Sequence, residues 1–347
     1  MTRHRTRTLA ACILGILAAL PLAARMAGRR PPRGPGRLGA TRIQAAALSP
    51  VAAVASLSAV ALAASVTWWL AGLLAIPAAL LVAAQFPRRR SRPPGRQATP
   101  QARTLRILTL NALFGGADPD ATVAAVRCHQ ADVLAVQELT PELACGLQKA
   151  GAGDLLPHVH ADPRPGAAGT GLWSRYPLTP LPPVPGLLLA APSACITVAG
   201  QPVTLRSVHP VAPILGRQRR WHQDLVRLRE ALTATPGAQV VAGDFNASRD
   251  HRPFRDLLTA GFADSADIAR HGSWPGFTWP ANRRYPPLMR LDHILVSPGI
   301  TVSAARTVHV PGTDHRAVLA VLELAPVPVP DQHPERGPAA ATGRPPA

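Results

Sequence analysis

The sequence predicts an α+β domain that follows an N-terminal region of membrane-spanning helices, and three observations support this prediction. Residues 43–86 form a run of 44 residues without a charge, more than twice the roughly 20 residues that one helix needs to cross a bilayer. From residue 104 onward, short apolar runs of strand length alternate with helical segments. Charge changes at the same point: residues 1–103 hold 15 arginines and no acidic residue, whereas residues 104–347 hold 22 basic and 19 acidic residues.

This distribution of charge argues against a protein that coats nucleic acid, because such proteins carry basic residues across the folded surface. An apolar content of 47% excludes a disordered chain. The cysteines show no C-x-x-C spacing, which excludes zinc-ribbon and thioredoxin-type sites as well as a dense disulfide framework. At most one bridge could form downstream of the first cysteine; the four are Cys12, Cys128, Cys145 and Cys195.

Three spans are predicted within a membrane region at residues 1–87. The first, 9–25, contains a 16-residue apolar stretch (Leu9 to Ala24) that would also suit the core of a signal peptide. The uncharged run divides near the Trp68–Trp69 pair into spans at 43–64 and 68–86, and this pair suits the interfacial belt. A buried hairpin in a soluble protein is disfavoured, because the run is uniformly apolar rather than amphipathic.

Two arguments predict opposite sides of the membrane for the domain. The positive-inside rule favours a cytoplasmic domain, because more arginines follow the first span than precede it. A first span that inserts like an uncleaved signal, with its short basic N-terminus inside, favours the opposite side. We expect a multi-pass protein of the cell membrane whose domain is extracytoplasmic. A Pro/Arg linker (88–103) and a disordered, Pro/Ala-rich tail (325–347) flank the domain, which spans 104–324.

Within the domain, apolar runs and helical spacing define the expected elements in chain order. Strands are expected at 105–110, 132–138, 171–175, 203–209, 239–242, 291–296 and 318–322, and helices at 120–130 and 218–232. Polar residues recur where these strands meet loops. Because strand ends converge at the rim of a sheet, these residues could build one site; they are Asn111, Glu138, His209, Asp244, Asn246, Asp292, Asp314 and His315.

Each of these residues also has an ordinary structural explanation. Glu138 could end a strand in solvent, and Asp244 with Asn246 could simply form a turn. Asp292 could pair with Arg290, His209 could be an edge histidine, and the segment that contains Asp314 and His315 could cap an element. These explanations do not account for the complete ordered set.

That ordered set resembles the endonuclease/exonuclease/phosphatase superfamily, the metal-dependent phosphoesterases that include DNase I, apurinic endonucleases, neutral sphingomyelinases and inositol-phosphate 5-phosphatases. The resemblance extends over all of 104–324, and Gly-Asp-Phe-Asn and Thr-Asp-His are its most specific motifs. The motifs are Leu110-Asn111, Val136-Gln137-Glu138, Gly171 to Leu178, Val208-His209, Gly243 to Asn246, Arg290 to Leu295, and Thr313-Asp314-His315. It implies a DNase I-like, four-layer αββα sandwich of two mixed sheets, preceded here by transmembrane helices.

The resemblance also implies a role for each site residue. Glu138 would be the principal ligand of Mg²⁺ or Mn²⁺, assisted by Asn111, with a further metal contact from Asp314. Asp244 would orient or deprotonate the attacking water, and Asn246 would donate its amide to the phosphate. His315, held by Asp292, would contact a phosphoryl oxygen. His209 would protonate the leaving oxygen, at a position where some nucleases have tyrosine.

Residues 273–290 form a loop rich in aromatic rings and arginines. Its members Trp279, Arg283 and Arg284 are candidate substrate-binding residues. The loop would stack bases and grip phosphate in a nuclease, or meet headgroups and anionic lipid in a membrane-tethered phosphatase. A surface loop packed by its own aromatic rings is an equally good explanation.

The sequence leaves three functions to compare. We expect a membrane-anchored phosphoesterase that acts on a phosphate ester, with a lipid-linked phosphate or pyrophosphate among the candidate substrates, membrane lipid as a partner, and a monomeric state. The leader resembles the branch of the superfamily associated with glycopeptide (teicoplanin/vancomycin) resistance. An extracytoplasmic nuclease is the alternative, disfavoured by the nearly neutral domain. A non-catalytic, membrane-bound binding module would require a decayed site, whereas every motif position is intact.

Overall fold

The structure, a computed structural model, describes residues 2–27, 37–85, 103–269 and 276–324. Four helices precede the domain: α1 (Thr2–Ala27), α2 (Arg37–Ala47), α3 (Ser49–Ala64) and α4 (Trp68–Gln85). The predicted tail lies outside the described residues, as does the predicted linker except for Arg103, the first residue of the domain's first strand.

Two of these helices, at His4–Met26 and Trp68–Gln85, are long and apolar enough to cross a membrane. A third crossing would require α2 and α3 to act as one span, although they are bent by 68° at Leu48. The predicted span 43–64 is therefore not one straight helix. Pro50 explains the break, because its ring excludes the carbonyl of the residue four positions earlier. That carbonyl, on Ala46, accepts a 2.7 Å hydrogen bond from the Ser49 hydroxyl instead.

Helices α1, α3 and α4 pack in an up-down-up arrangement. One small cluster contains Ala11, Ala63 and Leu70, and another contains Ala18, Ala52, Ala53 and Leu81. Since the order along α3 is reversed, α1 and α4 run in the same direction. The last turns of α1 and α4 therefore lie at the same end as the beginning of α3.

The domain contains two six-stranded mixed sheets. The first has the order β11-β12-β1-β2-β4-β3 and the second the order β5-β6-β7-β8-β10-β9. The strands are β1 (Arg103–Asn111), β2 (Val133–Gln137), β3 (His158–Asp162), β4 (Thr170–Ser174), β5 (Thr179–Leu181), β6 (Ser193–Val198), β7 (Gln201–Val208), β8 (Ala238–Asp244), β9 (Ala263–Asp264), β10 (Asp292–Val296), β11 (Ile300–Val308) and β12 (Ala317–Leu324). The helices are α5 (Pro119–Cys128), α6 (Pro141–Lys149), α7 (Ala152–Leu155), α8 (Gln218–Ala234), α9 (Arg252–Thr259) and α10 (Ser265–Ile268).

Side-chain alternation along the strands creates four layers. In β1, Leu105 and Ile107 face the second sheet and belong to the central core, whereas Leu108 and Leu110 face outward toward α5 and α6. On the other side, the outer face of the second sheet packs against α8 and α9 around Trp221. The predicted α+β, four-layer αββα sandwich is confirmed.

The N-terminal helices contact the domain at the loop between β8 and α9. Arg25, near the end of α1, forms an ion pair with the buried Asp250. His251 Nε2 donates to the backbone oxygen of Ile43 in α2 (2.8 Å), while its Nδ1 accepts from Ser248 N. Burial lowers the pKa of His251 to about 4, so this ring is neutral near pH 7, as one donor and one acceptor nitrogen require.

Candidate active site

The candidate site lies at the rim where the carboxyl ends of β1, β2, β7 and β8 meet. Asn111 ends β1, Glu138 follows β2, His209 follows β7 and Asp244 ends β8. β7 and β8 approach closely here, because a Cβ on Gly243 (φ +154°) would lie 2.0 Å from the oxygen of Val208. Glycine is therefore required immediately before Asp244.

Backbone strain is concentrated at this rim. Six non-glycine residues of the described chain have positive φ, and four of them lie here: Leu113, Phe114, Glu138 and Asn246. Non-glycine residues in this conformation raise the free energy of the fold by about 1–3 kcal/mol each and cluster at functional sites. At Glu138 (φ +55°) this conformation occurs where the chain leaves β2.

Asn111 connects two carboxylates. Its Nδ2 donates to Asp244 Oδ2 (2.9 Å) and Glu138 Oε1 (3.2 Å), while its Oδ1 accepts from Leu113 N. Glu138 Oε2 also accepts from Phe114 N (2.7 Å). In this orientation the side-chain nitrogen of Asn111 positions both carboxylates, and its side-chain oxygen faces the backbone amide of Leu113. Its role as a metal ligand stays a prediction.

Asp244 is the centre of the cluster. It is 1% exposed, its Oδ1 accepts from Asn246 N (2.7 Å), and its Oδ2 lies 3.6 Å from His209 Nε2 and 3.9 Å from His315 Nε2. Burial raises the pKa of Asp244, and the neighbouring Asp292 raises it further against the opposing effect of the two histidines. Asp244 and Asp292 are adjacent because they are directly opposed in the antiparallel β8–β10 pair.

His315 and Asp292 form a buried imidazole–carboxylate pair, joined by a 2.8 Å hydrogen bond between Nδ1 and Oδ2. Burial lowers the pKa of His315, but the charge and hydrogen bond of Asp292, with Asp244 and Asp314, outweigh this effect and raise it to about 10. Thr313 positions the loop, because its hydroxyl donates to Asn111 O and accepts from His315 N. A protonated His315 suits contact with an anion.

His209 and Asn246 are hydrogen-bonded to each other on the opposite side of Asp244. Asn246 Nδ2 donates to Pro210 O (3.0 Å) and lies 3.2 Å from His209 Nε2, while His209 Nδ1 lies 3.2 Å from Ala167 O. A donor at Nδ1 and an acceptor at Nε2 satisfy these partners. Proton donation from Nε2 to a leaving oxygen would require a second proton, so this role of His209 stays a prediction, as does the phosphate contact of Asn246.

The three candidate substrate-binding residues occupy two kinds of position. Trp279 Nε1 donates to Asp314 Oδ2 (2.9 Å), so the indole holds a predicted metal ligand. Arg283 and Arg284 are exposed on the loop that follows. Trp274, in the same predicted loop, lies outside the described residues. Substrate contact by all three candidates stays a prediction.

Sequence reasoning missed a buried polar layer beneath the site. Gln137 is fully buried; its Oε1 accepts from Thr109 of β1, and its Nε2 donates to Ser207 of β7 in the other sheet (3.0 Å). A glutamine inside an apolar strand was the available signal. Thr278 was also missed: its hydroxyl accepts from the backbone amides of Leu291 and Asp292. Both residues fix strand ends that carry site residues.

The donor set fits a hard divalent cation. Asp244, Asp292 and His315 offer ligand atoms within 4.8 Å of one another, and Glu138 and Asp314 border this group. Asp292 Oδ1 and Asp314 Oδ1 are buried and accept no hydrogen bond from any described residue. Several carboxylate oxygens close together are costly to bury without a cation, and oxygen-rich sites suit Mg²⁺ or Mn²⁺. This group differs from the predicted ligands Glu138, Asn111 and Asp314, although all lie at the same rim.

Comparison with known proteins supports the assignment of the fold and of the family. The family model "Endonuclease/Exonuclease/phosphatase family" matches residues 108–315, more than half of the chain. No curated protein sequence matches significantly. A humanized TDP2 from D. rerio superposes with TM-score 0.51 and 17% identity, covering 63% of this chain and 98% of that one. An AP endonuclease from Archaeoglobus fulgidus gives 0.51 and 18%, covering 62% and 98%.

A family protein from Leptotrichia buccalis gives TM-score 0.50 and 17% identity, covering 63% of this chain and 100% of that chain. At such identities the three structures show a shared fold and leave the substrate open. The residues matched by the family model include every site residue placed above. The chain therefore belongs to the endonuclease/exonuclease/phosphatase family and is a hydrolase that acts on phosphoester bonds.

Proposed function

We propose that this protein is a membrane-tethered phosphoesterase that requires a divalent metal ion. The observation that supports the proposal most is the convergence of four carboxylates and two imidazoles at one rim, from strand ends distant in sequence. The two apolar helices that precede the domain supply the tether. Mg²⁺ or Mn²⁺ would be held by Glu138 and Asp314. The alternative group of Asp244, Asp292 and His315 would require a neutral His315, because a protonated imidazole has no lone pair for the ion. When bound, such an ion supplies Lewis-acid stabilisation of negative charge on the phosphoryl oxygens.

Asp244 is suited to orient the attacking water and accept its proton. It is buried, and the backbone amide of Asn246 fixes Oδ1, so Oδ2 faces the two imidazoles. A raised pKa brings a carboxylate closer to the range in which it acts as a general base. This assignment rests on geometry and on the family's chemistry together.

His315 is suited to bind a phosphoryl oxygen as a cation. Asp292 holds Nδ1 and stabilises the charge, which leaves Nε2 directed toward the carboxylates of Asp244 and Asp314 at 3.9 and 3.8 Å. Such an orientation by a buried carboxylate follows the logic of hydrolytic triads. As part of the same proposal, His209 would meet the leaving oxygen and Asn246 the phosphate, once each exchanges its present hydrogen bond for one to the substrate.

A substrate panel tests the proposal. The purified full-length chain in detergent, supplied with Mg²⁺, should hydrolyse at least one ester among bis(p-nitrophenyl) phosphate, inositol phosphates, sphingomyelin and undecaprenyl pyrophosphate. The readout is nitrophenol, inorganic phosphate or, for sphingomyelin, phosphocholine. DNA tests the nuclease alternative, and preferential cleavage of DNA would favour it. Failure to hydrolyse any of these substrates would contradict the proposed activity.

We also propose that the domain is extracytoplasmic, on the inserted-signal argument and the resemblance to a membrane-anchored branch that acts outside the cell. Alkaline phosphatase and green fluorescent protein are fused in parallel after Pro100, beyond α4. We expect active phosphatase and a dark fluorescent protein, because phosphatase folds only outside the cytoplasm. Fluorescence with inactive phosphatase would place the domain inside and would agree with the positive-inside count.

A further inference from the structure

Exposed apolar side chains are unevenly distributed over the catalytic domain. Among the described residues 103–269 and 276–324, seven large hydrophobic side chains are exposed, and isolated examples of this kind are ordinary on soluble proteins. Here, however, five of the seven lie on loops at the catalytic rim. We call these five the rim surface: Phe114, Leu188, Ile214, Leu215 and Tyr285.

Hydrogen bonds, chain order and strand register place each residue of the rim surface near the catalytic rim. Phe114 donates its backbone amide to Glu138. Ile214 and Leu215 lie between His209 and α8, on the loop that leaves the end of β7. Leu188 precedes β6, whose first residue opposes Arg206 near the same end of β7. Tyr285 lies on the loop after Trp279, whose indole contacts Asp314.

Val159 provides a contrast to the rim surface. It is 48% exposed, the same fraction as Ile214. In the β3–β4 pair it opposes Trp173, whereas the rim end of that pair is Asp162 opposite Thr170, and Thr170 opposes Gln137 of β2. Val159 therefore lies toward the far end of the sheet and serves as a matched control.

The N-terminal helices approach the domain from the rim side. Two of their contacts, Arg25 with Asp250 and Ile43 with His251, fall on the loop that follows Asp244 and Asn246. His251 also packs edge-on against Trp221, whose Nε1 donates to Asn246 O. Because α1 and α4 run in the same direction, Arg25 lies at the same end of the helices as the last turn of α4, after which the chain continues to the domain. If these helices cross a bilayer, its boundary at this end lies beside the catalytic rim.

Positive charge accompanies the apolar side chains. Arg217 lies two residues after Leu215, and Arg283 and Arg284 precede Tyr285; all three arginines are exposed. Apolar side chains flanked by arginine match the chemistry of an anionic bilayer surface, where the rings and aliphatic groups enter the interface and the cations meet headgroups. A soluble, polar partner would leave these apolar side chains unsatisfied.

We propose that the rim surface rests on an anionic bilayer and that the phosphoester hydrolysed at the rim is carried by a lipid of that bilayer. The second half of this inference rests on the proposed function, whereas the first half does not. With the rim at the interface, the headgroup phosphate of a lipid reaches Glu138, Asp244 and His315 without leaving the membrane surface.

Depth measurement by electron paramagnetic resonance tests the surface contact independently of activity. A nitroxide is attached at Leu215→Cys or at Val159→Cys in the full chain with its four native cysteines changed to serine, reconstituted into phosphatidylcholine/phosphatidylglycerol nanodiscs. We expect relaxation by oxygen to exceed relaxation by a water-soluble nickel chelate at position 215 only. Greater access to nickel at 215 would overturn the contact. Protection of 215 from both reagents would overturn it as well, since a protein or a second copy would then cover the surface.

Substrate class is tested by the paired change Ile214→Ser with Leu215→Ser, and Val159→Ser is the control. We expect turnover of a phospholipid-borne ester in the same nanodiscs to fall about tenfold or more, while turnover of soluble bis(p-nitrophenyl) phosphate stays within about twofold. Equal losses on both substrates, or no loss on either, would overturn the lipid assignment. If no ester is hydrolysed even by the unaltered chain, the proposed function fails while the depth measurement still decides the surface contact.

Discussion

We expect Asp244→Asn to reduce the turnover number by about 10³-fold or more, equivalent to roughly 4 kcal/mol of lost transition-state stabilisation. Asparagine keeps the shape of the side chain but removes the charge and the proton acceptor. It also disturbs the contacts that Asp244 makes with Asn111, Asn246 and the two imidazoles. Initial rates with bis(p-nitrophenyl) phosphate and Mg²⁺ measure the effect.

Asp132→Asn is the matched control for this change. Asp132 is also buried, and it accepts from Arg106 N (2.9 Å) and pairs with Arg175, but it precedes β2 and so lies at the opposite end of the sheet from Glu138. We expect its turnover number to match that of the unaltered protein. If Asp244→Asn retains near-normal turnover, or if it merely melts early with normal activity at low temperature, Asp244 is a turn-forming residue rather than a catalytic one.

The largest loss of stability is expected from Asp264→Ala. Asp264 is 2% exposed and accepts from His293 Nδ1 (2.7 Å) and Arg290 Nη1 (3.1 Å), both of which are buried. Removal of the carboxylate leaves a buried cation with only Asp267 and leaves Nδ1 of the buried His293 ring without its partner. Breaking such a pair lowers the free energy of unfolding by about 3–5 kcal/mol. The melting temperature of the purified chain should fall by roughly 10 °C.

Asp162→Ala provides the exposed counterpart. Asp162 pairs with Arg164 on the surface, where both side chains are about half exposed, and surface pairs contribute at most about 1 kcal/mol. We expect its melting temperature to stay within roughly 3 °C of the unaltered protein. A comparable loss in both variants would contradict the special role of the buried network.

The buried network also sets a pH dependence. Burial alone would raise the pKa of Asp264, but Arg290 and His293 outweigh burial and hold it well below its usual range. The stabilisation by Asp264 is therefore fully present above the unfolded-state pKa of about 3.9 and is lost as pH falls below that value. Melting temperatures between pH 7 and pH 3 should decline more steeply for the unaltered protein than for Asp264→Ala. Parallel declines would contradict the assignment.

The interior strands could be predicted from the sequence, but the peripheral ones could not. β1, β2, β8 and β12 carry apolar runs because layers cover both of their faces. β3 was missed because it is an edge strand with the sequence HVHAD, which leaves no apolar run to recognise. β6 alternates apolar residues with serine, cysteine and threonine, and β11 is exposed along much of its length.

The ordered motifs predicted which strand ends would converge, but not the partners of individual side chains. One explanation of Asp292 in the sequence was an ion pair with Arg290, which is only two residues away. The structure shows this to be wrong, because strand alternation and the β9–β10 pairing direct Arg290 to Asp264 and Asp267, while Asp292 pairs with His315. The contact of Trp279 with Asp314 joins a loop to a distant strand end, and no local pattern encodes it.

The sequence contains a signal for the break between α2 and α3, but the prediction of one span did not use it. Pro50 stands seven residues into the predicted span 43–64, where proline removes a helical hydrogen bond and clashes with the preceding turn. Composition alone suggested one long helix, since apolar residues surround the proline on both sides. The bend leaves Ile43 beside the catalytic domain rather than in line with α3.

Removal of metal tests the central claim, a phosphoesterase site built around a divalent cation, most directly. Initial rates on bis(p-nitrophenyl) phosphate are measured after exhaustive treatment with EDTA and again after Mg²⁺ or Mn²⁺ is restored. We expect the rate to fall to background in the chelator and to recover at about 1 mM of either cation, because an open carboxylate site that retains bound water holds Mg²⁺ weakly. An undiminished rate after exhaustive chelation would contradict the account.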